Sequence, residues 1–189
     1  AIKEQFDVPV SIDTYKSAVA AAAIEAGADL VNDIWGLKYD SKMAGLIAKT
    51  GVACCLMHNR ENTDYQNFLA DFMDDMKECV KIAKDAGIAD DRIILDPGVG
   101  FGKTYEMNLE IIDKLEIMKE LGYPVLLGTS RKSVIGLTLD LPVEEREEGT
   151  MVTTVYGVQK GCAFVRAHDV EKNKRTIRMT RALMREHEV

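Results

Sequence analysis

Short apolar runs that end on polar side chains recur along this chain, separated by stretches of helical periodicity. Val8-Pro9-Val10-Ser11-Ile12 ends on Asp13, Asp29-Leu30-Val31 on Asn32 and Asp33, and Val52-Ala53-Cys54-Cys55-Leu56-Met57 on His58 and Asn59. Arg92-Ile93-Ile94-Leu95 ends on Asp96, Pro124-Val125-Leu126-Leu127 leads to Ser130, Arg131 and Lys132, and Ala163-Phe164-Val165 leads to Arg166, His168 and Asp169. Runs of this length are too short for helices and predict buried strands, each delivering polar groups to one end. Between them the spacing predicts helices facing inward at Val19, Ala22, Ala23 and Ala26; at Met43, Leu46 and Ile47; at Leu69, Phe72, Met73, Met76, Val80 and Ala83; and at Ile111, Ile112, Leu115 and Met118. A further helix is predicted over Arg146 to Lys160 with Met151, Val155 and Val158 inward, and a basic helix from about Glu171 to His187 closes the chain. Gly27, Gly51, Gly87 and Gly122 each follow a helical stretch, where a left-handed cap is expected. The unit is strand then helix, six times.

Alternating strands and helices allow a barrel or a doubly wound open sheet. Polar residues at the end of every strand favour the barrel, because a barrel gathers all its strand ends around one mouth, whereas an open sheet uses mainly its switch point. The expectation is therefore an α/β fold of the (β/α)8 TIM-barrel type, one domain over residues 1–189, with only about six of the eight units present. Such a partial barrel leaves two parallel strand edges open, an arrangement that recruits other chains. It predicts a fragment of a longer protein in preference to a partner that fills the gap.

Composition narrows the partners. The chain is 47% hydrophobic, enough for one core, and its net charge of -7 argues against a nucleic-acid footprint, so an anionic ligand must be met by local charge. No segment is apolar enough for a signal core or membrane span, which predicts no membrane partner and a cytoplasmic protein. Cys54, Cys55, Cys79 and Cys162 lack C-x-x-C spacing and read as reduced core thiols rather than a disulfide or zinc framework.

Two nucleotide motifs fail on spacing. A phosphate-binding P-loop would need glycine where Pro97 stands, and a dinucleotide fingerprint would need it at Lys103. The strings that remain converge on a family: Ser11-Ile12-Asp13-Thr14-Tyr15-Lys16, Val31-Asn32-Asp33-Ile34, Leu56-Met57-His58, Asp96-Pro97-Gly98-Val99-Gly100-Phe101-Gly102-Lys103, Ser130-Arg131-Lys132-Ser133 and Arg166-Ala167-His168-Asp169. Together they closely resemble the dihydropteroate synthases of folate biosynthesis. The resemblance implies a transferase that condenses 7,8-dihydropterin-6-ylmethyl diphosphate with p-aminobenzoate, works as a homodimer and is a sulfonamide target.

The chemistry suits these residue types. A pterin presents a ring N–H beside an exocyclic amino group, two donors that one ionised carboxylate can accept together, and Asp96 is the candidate clamp. Asn32 can donate and accept, and Asp13 can accept from a further ring N–H. The resemblance implies that Lys132 donates to the pterin carbonyl and borders the aminobenzoate pocket, with Phe101 as its wall and Ser133 receiving the carboxylate. Arg166 and His168, two apart on a strand, share a face and can grip one diphosphate, and Arg166 can also stack on the pterin. The catalytic candidates are Lys132, Arg166 and His168. No metal-ligating set is identified; Mg2+ is expected through the substrate diphosphate, its main protein ligand in an N-terminal Asn-Val-Thr-Pro-Asp-Ser-Phe-Ser segment of the family that this sequence lacks. Without that segment the chain alone is expected to have weak or no activity.

Plainer readings stand beside these. Asp96 could form a turn, Asn32 and Asp33 could cap the next helix, and Asp169 reads as an N-cap. His58 reads as a hydrogen-bonded scaffold residue, and Asp71, Asp74, Asp75 and Glu78 as a solvated helix face. The nearest alternative function is a pterin-binding methyltransferase domain using methyltetrahydrofolate and a corrinoid partner. A Schiff-base aldolase with Lys132 as nucleophile and a catalytically inactive pterin-binding fragment are the others.

Overall fold

The computed structural model describes residues 1–184. These group into two compact units, Ala1–Asn59 with Tyr65–Asp96, and Arg60–Asp64 with the residues from Pro97 onward.

The first unit runs α1 (Ile2–Gln5), β1 (Ser11–Asp13), α2 (Ser17–Glu25), β2 (Leu30–Asp33), α3 (Met43–Thr50), β3 (Ala53–Met57), α4 (Phe68–Asp85) and β4 (Ile93–Asp96). Its four strands form one parallel sheet in the order β1-β2-β3-β4. Parallel strands covered on both faces read as continuous apolar runs, and Cys54, Cys55, Leu56 and Met57 are indeed all fully buried. Helix α4 starts at Asn67, whose side chain accepts from the Ala70 amide at 3.2 Å, and it buries Phe72, Met73, Met76 and Ala83 as its spacing predicts. Helix α2 departs from expectation: Ala20 is buried, while Val19 is 46% exposed and Ala22 and Ala26 are also exposed. An almost uniformly apolar stretch carries no period from which to read a face.

The second unit runs α5 (Tyr105–Asp113), β5 (Leu126–Leu127), α6 (Ser133–Leu139), α7 (Glu147–Gln159), β6 (Phe164–Val165) and α8 (Val170–Leu183), with β5 and β6 paired in parallel. The helix predicted through Ile111 to Met118 breaks at Lys114, and Leu115–Leu121 continues as a 3-10 helix. Leu115, Met118 and Leu121 are spaced by three, which suits three residues per turn rather than 3.6. Helix α7 also differs: Met151 and Val155 are only half-buried, and with Val158 the buried positions are Glu147, Thr150, Thr154 and Gly157. Its inward face is polar, and hydrophobic patterning cannot detect that. The expectation that the last helix reaches about His187 falls partly outside the described residues.

Candidate active site

Parallel register decides what the first unit offers at its strand ends. Asp13 lies opposite Asn32, and Met57 opposite Asp96. Asn32, 2% exposed, donates from Nδ2 to Asp13 Oδ1 at 3.0 Å. Its own Oδ1 is buried and has no hydrogen-bond partner. That orientation is forced, because an ionised Asp13 can only accept and must face the amide N–H2. The result is a buried acceptor near the end of β2 with nothing from the protein to satisfy it.

The neighbouring acids divide by role. Asp96 is fully buried, and its carbonyl accepts from the His58 amide at 2.9 Å. Asp33 accepts from the amides of Trp35 (2.9 Å) and Leu37 (3.1 Å), so it holds the turn after β2 and does not cap α3. Burial pushes its carboxyl above the usual range, opposed by those two amide bonds. Asn32 caps no helix either. His58 is the scaffold residue expected: fully buried, its Nε2 lies 2.9 Å from Asp75 Oδ2 and its ring packs 4.7 Å from Phe72. Asp75 therefore does not belong to a solvated face. Asp40, which sequence reasoning passed over, accepts from the amides of Ser17 (2.8 Å) and Lys42 (3.0 Å) and so fixes the entrance to α2.

In the second unit the glycine loop is knitted from within. Lys103 Nζ donates to the carbonyls of Gly98 (3.1 Å) and Phe101 (3.0 Å), so it clasps the loop rather than reaching for a phosphate. Asn108, also missed in the sequence, accepts from the Gly100 amide at 2.6 Å and donates to the Thr104 carbonyl at 2.7 Å. Gly102 sits at φ +55, and a Cβ there would lie 2.6 Å from the Arg60 carbonyl oxygen, so both conformation and space call for glycine. Lys132 donates to the Val99 carbonyl and places its ammonium 4.9 Å above the Phe101 ring. Ser133 is exposed at the first position of α6.

Four of the expected polar groups line one cleft of about 190 Å³: Ser130, Lys132, Arg166 and His168, with Gly128 and Ala167. The exposed Arg166 lies over Gly128, where a Cβ would come within 3.0 Å of its Nη2. Ser130 Oγ is 2.7 Å from His168 Nδ1 and accepts from the His168 amide at 3.1 Å. The pair ties the His168 ring and backbone to the Ser130 hydroxyl at the cleft wall. Asp169 caps α8 as read from the sequence, accepting from the Lys172 amide at 3.0 Å, a bond that together with the Lys172 ammonium holds its carboxyl below the usual range.

Comparison with known proteins bears on the family. Residues 1–168 match the pterin-binding enzyme family. The dihydropteroate synthase of Clostridium beijerinckii is 64% identical over 186 residues, covering 98% of this chain and 69% of that protein. The chain belongs to the dihydropteroate synthase family. The Bacillus subtilis dihydropteroate synthase is 52% identical, covering 97% of this chain and 64% of that protein. A dihydropteroate synthase from Clostridium difficile, solved in the presence of pteroic acid, superimposes with a TM-score of 0.95 at 46% identity, covering 97% of this chain and 70% of that one. The fold class is that of these synthases, the (β/α)8 barrel type, and this chain contributes six β/α units. Dihydropteroate synthases are transferases, and the methyltransferase alternative is not favoured by relatives that carry the synthase name at this identity.

Proposed function

We propose that this chain condenses 7,8-dihydropterin-6-ylmethyl diphosphate with p-aminobenzoate, giving 7,8-dihydropteroate and pyrophosphate. The observation that carries this reading is the carboxamide oxygen of Asn32, buried at a strand end beside Asp13 with no hydrogen-bond partner. A buried acceptor left in that state costs about 1–3 kcal/mol, which a heterocycle N–H would recover. Asp96 takes the ring N–H and amino pair, Asn32 and Asp13 take the rest of the pterin edge, and Lys132 donates to its carbonyl. Phe101 and Lys132 flank the aminobenzoate ring, and Ser133 receives its carboxylate.

The bond that breaks joins the pterin methylene carbon to a diphosphate oxygen, whose electron pair leaves with pyrophosphate. The methylene cation is conjugated with the electron-rich pterin, so no enzyme nucleophile is required. The aniline nitrogen then supplies the electron pair of the new C–N bond and gives up a proton to water. Arg166 and His168 hold the diphosphate and meet its growing charge, so catalysis is positioning plus leaving-group stabilisation. Among the described residues no group of three or more His, Cys, Asp or Glu side chains is placed to hold a metal. Mg2+ belongs to this proposal only as a companion of the diphosphate, and no step is assigned to it.

The reading treats residues 1–189 as one pterin-binding domain and includes a homodimer, a cytoplasmic setting and small-molecule partners. Among the described residues no helix is long and apolar enough to cross a membrane. The test is pyrophosphate release by the chain supplied with both substrates. Any release that occurs should require p-aminobenzoate, and calorimetry should show the chain binding the pterin diphosphate; release at the same rate without p-aminobenzoate, or no binding of the pterin diphosphate, contradicts the reading.

A further inference from the structure

We infer that Glu147 is a positioning residue for the cleft of Ser130, Lys132, Arg166 and His168, setting through Arg131 and Asn173 the two turns that carry those groups. The inference rests on the reading of that cleft as the site of the leaving diphosphate. It begins with an acid where patterning expects an apolar face: Glu147, in the first turn of α7, is 7% exposed. A buried carboxylate is retained only with partners, and buried ion pairs are weak sources of stability compared with apolar packing, so such a group points to geometry rather than to adhesion.

Its partners, Asn173 and Arg131, each hold the chain beside a cleft residue. Glu147 Oε1 accepts from Asn173 Nδ2 at 2.8 Å, and the same Nδ2 donates to the Asp169 carbonyl at 2.9 Å, one residue beyond His168. Asn173 is 2% exposed, and its Oδ1 accepts from Thr154 Oγ1 at 2.6 Å. On the other side Glu147 Oε2 lies 3.5 Å from Arg131 Nε, both atoms buried and held by charge without a hydrogen bond. Arg131 stands between Ser130 and Lys132 at φ +56, a left-handed conformation that strains a side-chain-bearing residue. Its amide donates to Thr150 Oγ1 at 3.0 Å and its carbonyl accepts from Arg146 Nη1 at 3.1 Å. A backbone reversed at Arg131 lets Ser130 and Lys132 both line the cleft, and the Glu147 charge anchors the Arg131 side chain, which is absent from the cleft lining. Glu147 itself is absent from the cleft lining, so it acts through its partners.

Glu147→Gln keeps the shape and the acceptor for Asn173 while removing the charge opposite Arg131. With the whole chain, calorimetric titration of inorganic pyrophosphate should show affinity falling tenfold or more, and KM for p-aminobenzoate should rise with it. Affinity for 6-hydroxymethylpterin should fall clearly less than affinity for pyrophosphate, because Asp13, Asn32 and Asp96 carry most of that edge and only its Lys132 contact rides on the Arg131 turn. Adding Arg131→Gly, which adopts φ +56 without strain, should restore pyrophosphate affinity to within threefold of the unaltered chain. Unchanged pyrophosphate affinity in Glu147→Gln, an equal loss for pterin and pyrophosphate, or a double variant as weak as the single would each overturn the inference. Failure of the unaltered chain to bind pyrophosphate would instead overturn the reading of the cleft, and the inference with it.

Discussion

Replacing Asn32 by leucine removes a buried polar group of similar volume and separates what the side chain does for folding from what it does for a ligand. In the free protein two effects oppose each other. The bond from Nδ2 to Asp13 is lost, and so is the penalty of about 1–3 kcal/mol for the unpartnered Oδ1. Asp13 is exposed and regains water, so the unfolding free energy should stay within about 1 kcal/mol of the original. Binding has no such offset. A pterin N–H that loses its acceptor forfeits a net bond of roughly 0.5–1.5 kcal/mol and is left buried and unpaired at a further 1–3 kcal/mol. Together that is roughly 1.5–4.5 kcal/mol, or about 10- to 1,600-fold in Kd. Calorimetric titration with 6-hydroxymethylpterin, alongside urea unfolding of both proteins, reads the two effects separately. A Kd within threefold of the unaltered chain would refute the assignment of Oδ1 as a ligand acceptor.

Asp96→Asn should weaken pterin binding by ~3 kcal/mol or more, because an amide accepts from one donor and turns its own N–H2 against the other; calorimetry showing full affinity would remove Asp96 from the clamp. For Arg166→Ala, affinity for the pterin diphosphate should fall more than affinity for the free hydroxymethylpterin, and equal losses would count against its anion role. Gly102→Ala should lower stability by roughly 1–3 kcal/mol through its left-handed backbone, with the Arg60 contact adding to it, as read by thermal unfolding. Burial pushes the thiols of Cys54 and Cys79 from 9.0 up to about 12, so the folded state keeps protons that the unfolded state releases. The stability they contribute is present below pH 9 and lost as pH climbs toward 12. At pH 8 both should resist iodoacetamide in the native protein and react once it unfolds; rapid native labelling would contradict that.

How much was legible depended on whether the signal was apolar. All six strands announce themselves, because each is a short apolar run stopped by Asp13, Asn32, His58, Asp96 or a cationic turn. Long helices with mixed composition, such as α4, give up their faces; alanine-rich α2 does not, since every position is equally acceptable inside. Helix α7 hides its orientation for the opposite reason. Its inward face is built from Glu147, Thr150 and Thr154, whose burial depends on Asn173 and Arg131, partners remote in sequence. Asp75 was misread for the same cause, since only the fold brings His58 to it. At the site, residue types suggest chemistry, but the orphaned oxygen of Asn32 and the serine bond that holds the His168 ring are consequences of register and loop geometry.

The most direct test is a crystal structure of this chain with pteroic acid. The account predicts the pteridine edge hydrogen-bonded to the Asp96 carboxylate and to Asn32 Oδ1. A pteridine bound elsewhere, with both of those side chains out of contact, would contradict it.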